Sequence, residues 1–224
     1  MKKKAYISVN KQTYDILADE YYEKICNNVK SKNIFDYLCK RVFFTYKNHF
    51  KKNPKSVLEL GPGLGNALKI FSTKYNCNVT GIELSHRMAE KAQKKAVRAA
   101  IINDDINNID NLLESQFDII YANAVIHLFP RKDAVELLVK IHKWLKNSGV
   151  IYISTTLHEI SEEGFFLKSN CDKKLNRYRR KYDEIDFKDL VCTTGFLVID
   201  EWKFSETEMS KQWINLICEK KQGD

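Results

Sequence analysis

No run of apolar residues reaches the roughly 18 that a membrane-spanning helix requires. Lys2-Lys3-Lys4 could open a secretion signal, but residues 5–10 that follow are too short and polar a stretch to complete one. The expectation is a cytoplasmic protein without membrane insertion. Cys26, Cys39, Cys77, Cys171, Cys192 and Cys218 form no C-x-x-C pair and have no zinc-type histidine grouping nearby. They are expected to be reduced and packed, with no metal. Arginine is scarce, 7 residues against 30 lysines, although it is the residue that phosphate recognition favours. The net charge of +8 therefore reads as solvated helix faces in preference to a nucleic-acid stripe. Internal repeats and linkers are also missing, so 224 residues with 44% hydrophobic content make one α/β domain with a modest helical extension.

What the chain does have is Val57-Leu58-Glu59-Leu60-Gly61-Pro62-Gly63-Leu64-Gly65-Asn66. Its apolar positions read as a short buried strand, which the glycines end. Leu64, Leu68 and Phe71 then recur at helical spacing. Glycine tolerates positive φ and has no side chain, so such a turn lets backbone approach a ligand closely. Glu59, a carboxylate beside the turn, would repel phosphate and suits a cationic or amine-bearing ligand. The spacing also departs from the dinucleotide pattern G-x-G-x-x-G, because Asn66 holds the sixth position.

The stretch from Glu59 to Gly65 resembles motif I (E/D-x-G-x-G-x-G) of the class I S-adenosylmethionine-dependent methyltransferases, with later motifs in order over residues 10–220. The resemblance implies a Rossmann-like α/β fold. It has a seven-stranded sheet of order 3-2-1-4-5-7-6, strand 7 antiparallel, helices on both faces and an N-terminal helical lid. The chain divides into the lid (1–50), a cofactor core (55–156), a substrate-cap insertion (157–182) and a C-terminal helix and strand pair (183–220). Strands are expected at 99–103, 150–155, 196–202 and 213–218, and amphipathic helices at 10–28 and 34–46.

S-adenosylmethionine, leaving as S-adenosylhomocysteine, is the implied cofactor. Its implied ligands include Glu59, Gly61, Gly63 and Gly65, and Glu83, an acid suited to a ribose diol. Leu84 and Met88 follow that acid, and Asp105 with Ile106 is matched to the adenine, Asp104 being the alternative. Asn123 ends the fourth strand, and Tyr14 or Tyr21 would close from the lid.

The segment Asn123-Ala-Val-Ile-His127-Leu-Phe129-Pro130 lacks the Asn/Asp-Pro-Pro-aromatic form of amino-methylating enzymes that act on nucleic acids or glutamine. It is similar instead to small-molecule methyltransferases of the ubiquinone-biosynthesis and trans-aconitate kind. His127, whose ordinary pKa near 6.5 lets it accept a proton at neutral pH, is the candidate base. With Phe129 it would line the acceptor site. Arg177, Tyr178 and Tyr182, from the basic cluster in 177–182, would hold an anionic acceptor. The expected activity is methyl transfer by in-line displacement to O or N of a small, anionic or aromatic metabolite, by a monomer or homodimer. An RNA or protein methyltransferase and a non-catalytic cofactor-binding regulator are the alternatives.

Overall fold

Alternating apolar residues in short segments bounded by glycine, asparagine and proline build the centre of the molecule. The structure, a computed structural model, describes residues 4–26, 29–109, 114–168, 173–206 and 211–221. Two long helices, α1 (Ala5–Cys26) and α2 (Val29–Phe50), precede the first strand. Then come β1 (Ser56–Leu60), α3 (Asn66–Thr73), β2 (Asn78–Ile82), α4 (His86–Lys95), β3 (Ala100–Ile102) and β4 (Phe117–Asn123). The remainder is α5 (Arg131–Trp144), β5 (Leu145–Leu157), β6 (Glu162–Leu167), β7 (Asn176–Lys181), α6 (Glu184–Thr193), β8 (Phe196–Glu206) and β9 (Lys211–Lys220).

Seven strands form one sheet in the order β3-β2-β1-β4-β5-β9-β8, and β6 and β7 pair separately. Counted without that hairpin, the sheet has the expected order 3-2-1-4-5-7-6. Within this sheet β9 runs antiparallel to β5 and β8, and the other pairings are parallel. The chain reverses direction across the sheet between β1 and β4, where an open α/β sheet leaves a crevice at its carboxyl edge.

Strand alternation loads both faces. Leu58, Leu60, Ile120, Ile151 and Ile153 pack with Leu137, Leu138, Ile141 and Trp144 of α5 and Phe187 and Leu190 of α6. On the other face Val57, Ile119, Tyr121 and Tyr152 meet Leu38, Val42 and Tyr46 of α2 and Leu68 and Phe71 of α3. Each fully buried large side chain stabilises the fold by about 1.5–3 kcal/mol, so these two layers hold the sheet rigid under the site.

Several boundaries differ from the sequence expectation. β5 starts at Leu145, ahead of the Asn147-Ser148-Gly149 turn signal, because those residues are absorbed in a register shift against Phe117 and Ile119. Both final strands are longer than expected, since each pairs along its whole length with the other. The loosely patterned 157–182 segment contains a regular hairpin, with Phe165, Tyr178, Glu163 and Arg180 on one face and Phe166, Arg177, Arg179 and Lys181 on the other.

Candidate active site

Three glycines make the turn after β1, and each adopts positive φ: 59° at Gly61, 54° at Gly63 and 74° at Gly65. They are not equivalent. A Cβ at Gly61 would stand 2.7 Å from Val125 Cγ2, and one at Gly65 would meet the backbone of Ala92 at 3.0 Å. At Gly63 a Cβ would meet nothing within 4 Å. Gly61 and Gly65 are therefore closed by the protein's own packing, and Gly63 faces open space. That pattern fits a bound group lying against the turn.

Glu59 is turned beneath the turn. Its Oε2 accepts the Leu68 N–H at 3.0 Å, and burial, with a further contribution from Glu83, holds its carboxyl well above the ordinary carboxylate range. The expectation that its charge selects a cationic ligand is corrected: in this environment the neutral form is favoured, and the group ties β1 to α3. Glu83, after β2, reaches the same turn. Its Oε2 accepts the Gly63 N–H and its Oε1 the Ser85 N–H, both at 2.9 Å. Burial raises its pKa against the pull of those N–H groups.

Ser85 caps α4 by accepting the Met88 N–H, and its hydroxyl donates to Asp15 of α1 at 2.6 Å. Asp15 also accepts the Arg87 N–H, while Asp19 pairs with Arg87 and Lys91. These contacts fasten α1 across the turn. Ala18, Leu64 and Met88 are buried together there, with Tyr14 and Tyr21 packed on them and their ring centroids 6.2 Å apart. Both expected lid tyrosines thus lie over the glycine turn. Leu84 is partly buried against the main core. Asp105 caps a short 3-10 turn, accepting the Asn107 N–H at 3.0 Å, and is buried beside Ile106, whereas Asp104 is exposed.

At the end of β4 the Asn123 amide contacts Ser154 Oγ at 2.8 Å and Tyr152 Oη at 3.2 Å. Ala124 takes φ 58°, and its N–H is held by Ser154 Oγ. This bend puts Val125 under Gly61 and sends His127 inward. His127 is 3% exposed, with Nδ1 3.2 Å from Thr155 Oγ1. Burial, followed by the charges of Arg179, Arg177 and Lys168, holds its pKa well below the ordinary imidazole value. The ring is neutral at physiological pH.

The cations come from the hairpin. Alternation along β7 places Arg177 and Arg179 on one face and Tyr178 and Arg180 on the other. Arg177 Nη1 donates to Tyr14 Oη at 3.0 Å. The guanidinium of Arg179 donates to Thr156 Oγ1, and its Nε has no partner among the described residues. Burial, with Arg177 adding, lowers the Arg179 pKa to about 10. Lys168 is 2% exposed, with Nζ 5.1 Å from the Tyr21 ring centre. Thr13 and Asn10 of α1 hydrogen-bond to Asn176 and Tyr178, so lid and hairpin are knitted together.

Three expected acceptor ligands belong to the core instead. Tyr178 packs on Tyr6 with ring centroids 5.4 Å apart, Phe129 meets Tyr6 edge-on at 6.1 Å, and Tyr182 is fully buried beside Phe187. Arg180 is spent on Glu163 and Asp186. Arg179 instead shares a face of β7 with Arg177. Period-two reading of 177–181 as a strand would have paired it with Arg177.

Residues 57–149 match the family model described as a methyltransferase domain. Phosphoethanolamine N-methyltransferase 1 of Triticum aestivum is 26% identical over 227 residues, 87% of this chain and 44% of that protein. The phosphoethanolamine N-methyltransferase of Plasmodium falciparum is 28% identical over 148 residues, 62% of this chain and 53% of that protein. The chain thus spans about half the length of these curated relatives. Among solved structures, Burkholderia thailandensis 1,6-didemethyltoxoflavin-N1-methyltransferase, with bound 1,6-didemethyltoxoflavin and S-adenosylhomocysteine, superposes with a TM-score of 0.66. It is 16% identical, and the match covers 94% of this chain and 90% of that one.

Proposed function

Because this chain belongs to the class I S-adenosylmethionine-dependent methyltransferase family, we propose that it methylates the nitrogen or oxygen of a small anionic metabolite. One observation carries the reading: the open face of Gly63 lies under a lid that also encloses Arg177, Arg179 and neutral His127. The relatives named for phosphoethanolamine, an amine bearing a phosphate, support it.

The cofactor's sulfonium supplies an already activated methyl group. In the proposed complex Gly61, Gly63 and Gly65 offer close backbone approach, and the Glu83 carboxylate serves the ribose diol. Leu84, Met88 and Ile106 provide apolar walls, Asp105 (alternatively Asp104) meets the adenine, and Asn123 closes the β4 side. Tyr14 and Tyr21 shut the lid and exclude water. Alignment of two reactants in such an enclosure is worth roughly 7–11 kcal/mol of barrier. His127, held neutral, accepts a proton from the acceptor at an imidazole nitrogen. A sulfonium is cationic, so the buried arginines beside it have work only if the acceptor brings negative charge. α1 acts as the lid, and the β6–β7 hairpin as the acceptor cap, of a single catalytic domain, while α2 of the expected lid packs on the sheet instead.

Calorimetric titration with S-adenosylmethionine and S-adenosylhomocysteine, on the wild type and Gly63→Arg, is the test. Micromolar binding that the variant loses, followed by transfer of radiolabelled methyl to phosphoethanolamine or a related anionic amine, is the expected result. A folded protein that ignores both cofactor forms would overturn it.

A further inference from the structure

Arg179 is the cation nearest in kind to a specificity residue, yet among the described residues nothing acidic anchors it. Its neighbours in the electrostatic field are Arg177 and the lid tyrosines Tyr14 and Tyr21, and among the described residues its hydrogen bond goes to a neutral hydroxyl, Thr156 Oγ1. By contrast Arg180, one residue on, is clamped by two carboxylates, and Arg41 holds Asp200 through two nitrogens. A guanidinium fixed by carboxylates is neutralised. One fixed by a hydroxyl keeps its charge for something else.

The proton count at Thr156 shows how the hydroxyl is itself fixed. Arginine only donates, so Thr156 Oγ1 accepts from Arg179 and has one proton of its own to place. His158 Nε2 lies 3.0 Å from that oxygen. Burial, with the charge of Arg179 next, holds the His158 pKa down at about 4, so its ring is neutral at physiological pH. In the Nδ1–H tautomer, Nε2 accepts the Thr156 proton and the oxygen lone pairs turn to Arg179. Thr156 is 2% exposed, so water does not compete for that oxygen. The backbone holds the far end: the His158 N–H donates to Tyr182 O at 2.9 Å, tying the end of β5 to the end of β7.

We propose that Thr156 and His158 are positioning residues that aim the Arg179 guanidinium at the anionic group of the acceptor. This rests on the reading of the acceptor as anionic. The arrangement holds Nη2 on Thr156 and leaves Arg179 Nε, on the same edge of the planar fork, without a partner among the described residues. An oxyanion with several acceptor oxygens, such as a phosphate monoester, satisfies that edge and relieves the mutual repulsion with Arg177.

The probe is inorganic phosphate titrated into the S-adenosylhomocysteine-saturated protein and followed by calorimetry. The wild type should bind it. Thr156→Val, which removes the hydroxyl and keeps the shape, should weaken phosphate about fivefold, the scale of one hydrogen bond. His158→Leu should do the same, and the double variant should be no worse than either single change, as for two parts of one relay. His158→Gln, which restores an acceptor, should return to within about twofold of wild type. The affinity for S-adenosylhomocysteine and the melting temperature should not move in the His158 pair, which separates aiming from folding. Undiminished phosphate binding in His158→Leu, or losses that simply add, would overturn the relay. If the loaded wild type ignores phosphate, the anionic acceptor and this inference fall together while the methyltransferase reading stands. If S-adenosylhomocysteine itself does not bind, that reading falls first.

Discussion

At Gly63 one hydrogen stands where any side chain would enter the cradle, and at Gly65, two residues on, the space is already filled by Ala92. The same substitution should thus act on different properties. Gly63→Ala should leave the melting temperature within a few degrees of wild type, since only the positive φ costs it, about 1 kcal/mol. It should still weaken S-adenosylmethionine by tenfold or more in calorimetry. Gly65→Ala should cost about 2–4 kcal/mol of stability in urea unfolding, because backbone atoms cannot step aside. Glu59 makes a separate claim. Folding raises its pKa above the unfolded value near 4.5, so its stabilising contribution is full below that pH and is lost as pH climbs through the raised value. Glu59→Gln keeps an acceptor for Leu68. It should melt a few degrees higher than wild type at pH 8, with the gap closing as pH falls toward about 4.5. A gap independent of pH would show that Glu59 is not the titrating group.

Beyond Tyr6 and Ile7, which its first turn packs into the main core, α1 is held largely by polar contacts. Its docking runs through Asp15 on Ser85, Asp19 on Arg87 and Lys91, Thr13 on Asn176 and Asn10 on Tyr178, around a small apolar patch at Ala18. Elements held this way open locally more easily than core strands. Burial pushes the Asp15 carboxyl up, but the Ser85 hydroxyl, Lys11 and the Arg87 N–H outweigh it and leave it below the ordinary value. Its contribution to docking is thus present above that value and lost as pH falls through it. Asp15→Ala should speed limited proteolysis within α1 and weaken S-adenosylmethionine about three- to tenfold, while global unfolding changes by less than about 1 kcal/mol. Protection of α1 by added S-adenosylhomocysteine would confirm that lid and cofactor share one equilibrium. The β6–β7 hairpin is the counterpart on the acceptor side, fixed to α6 through Arg180 and Asp186 and to α1 through Asn176 and Tyr178.

For the molecule as a whole, the +8 charge is spread over lysines while most arginines are placed: Arg41, Arg87, Arg131 and Arg180 in ion pairs, and Arg177 and Arg179 on the hairpin against the lid. A small buried acceptor predicts turnover that falls only modestly between 50 and 200 mM salt, whereas neutralising 6–10 phosphates of a nucleic acid would cost about 10³–10⁵ in affinity over that range. A slope of the second kind would return the RNA reading. The amino-acid sequence by itself determined the core strand segments, the glycine turn and the acid at Glu83, because these follow from local rules, while the strand order came with the resemblance carried by Glu59–Gly65. Glycine at positive φ, apolar periodicity and fixed strand-to-helix spacing each act over a few residues. Only the tertiary structure decided the rest. Whether Glu59 is charged depends on how deeply two helices bury it. Whether Tyr178 or Arg179 shares a face with Arg177 depends on the register of a hairpin whose strands carry too little apolar alternation to announce themselves. That Thr156 serves an arginine from the cap and a histidine beyond its own strand is a contact between segments that no local pattern encodes.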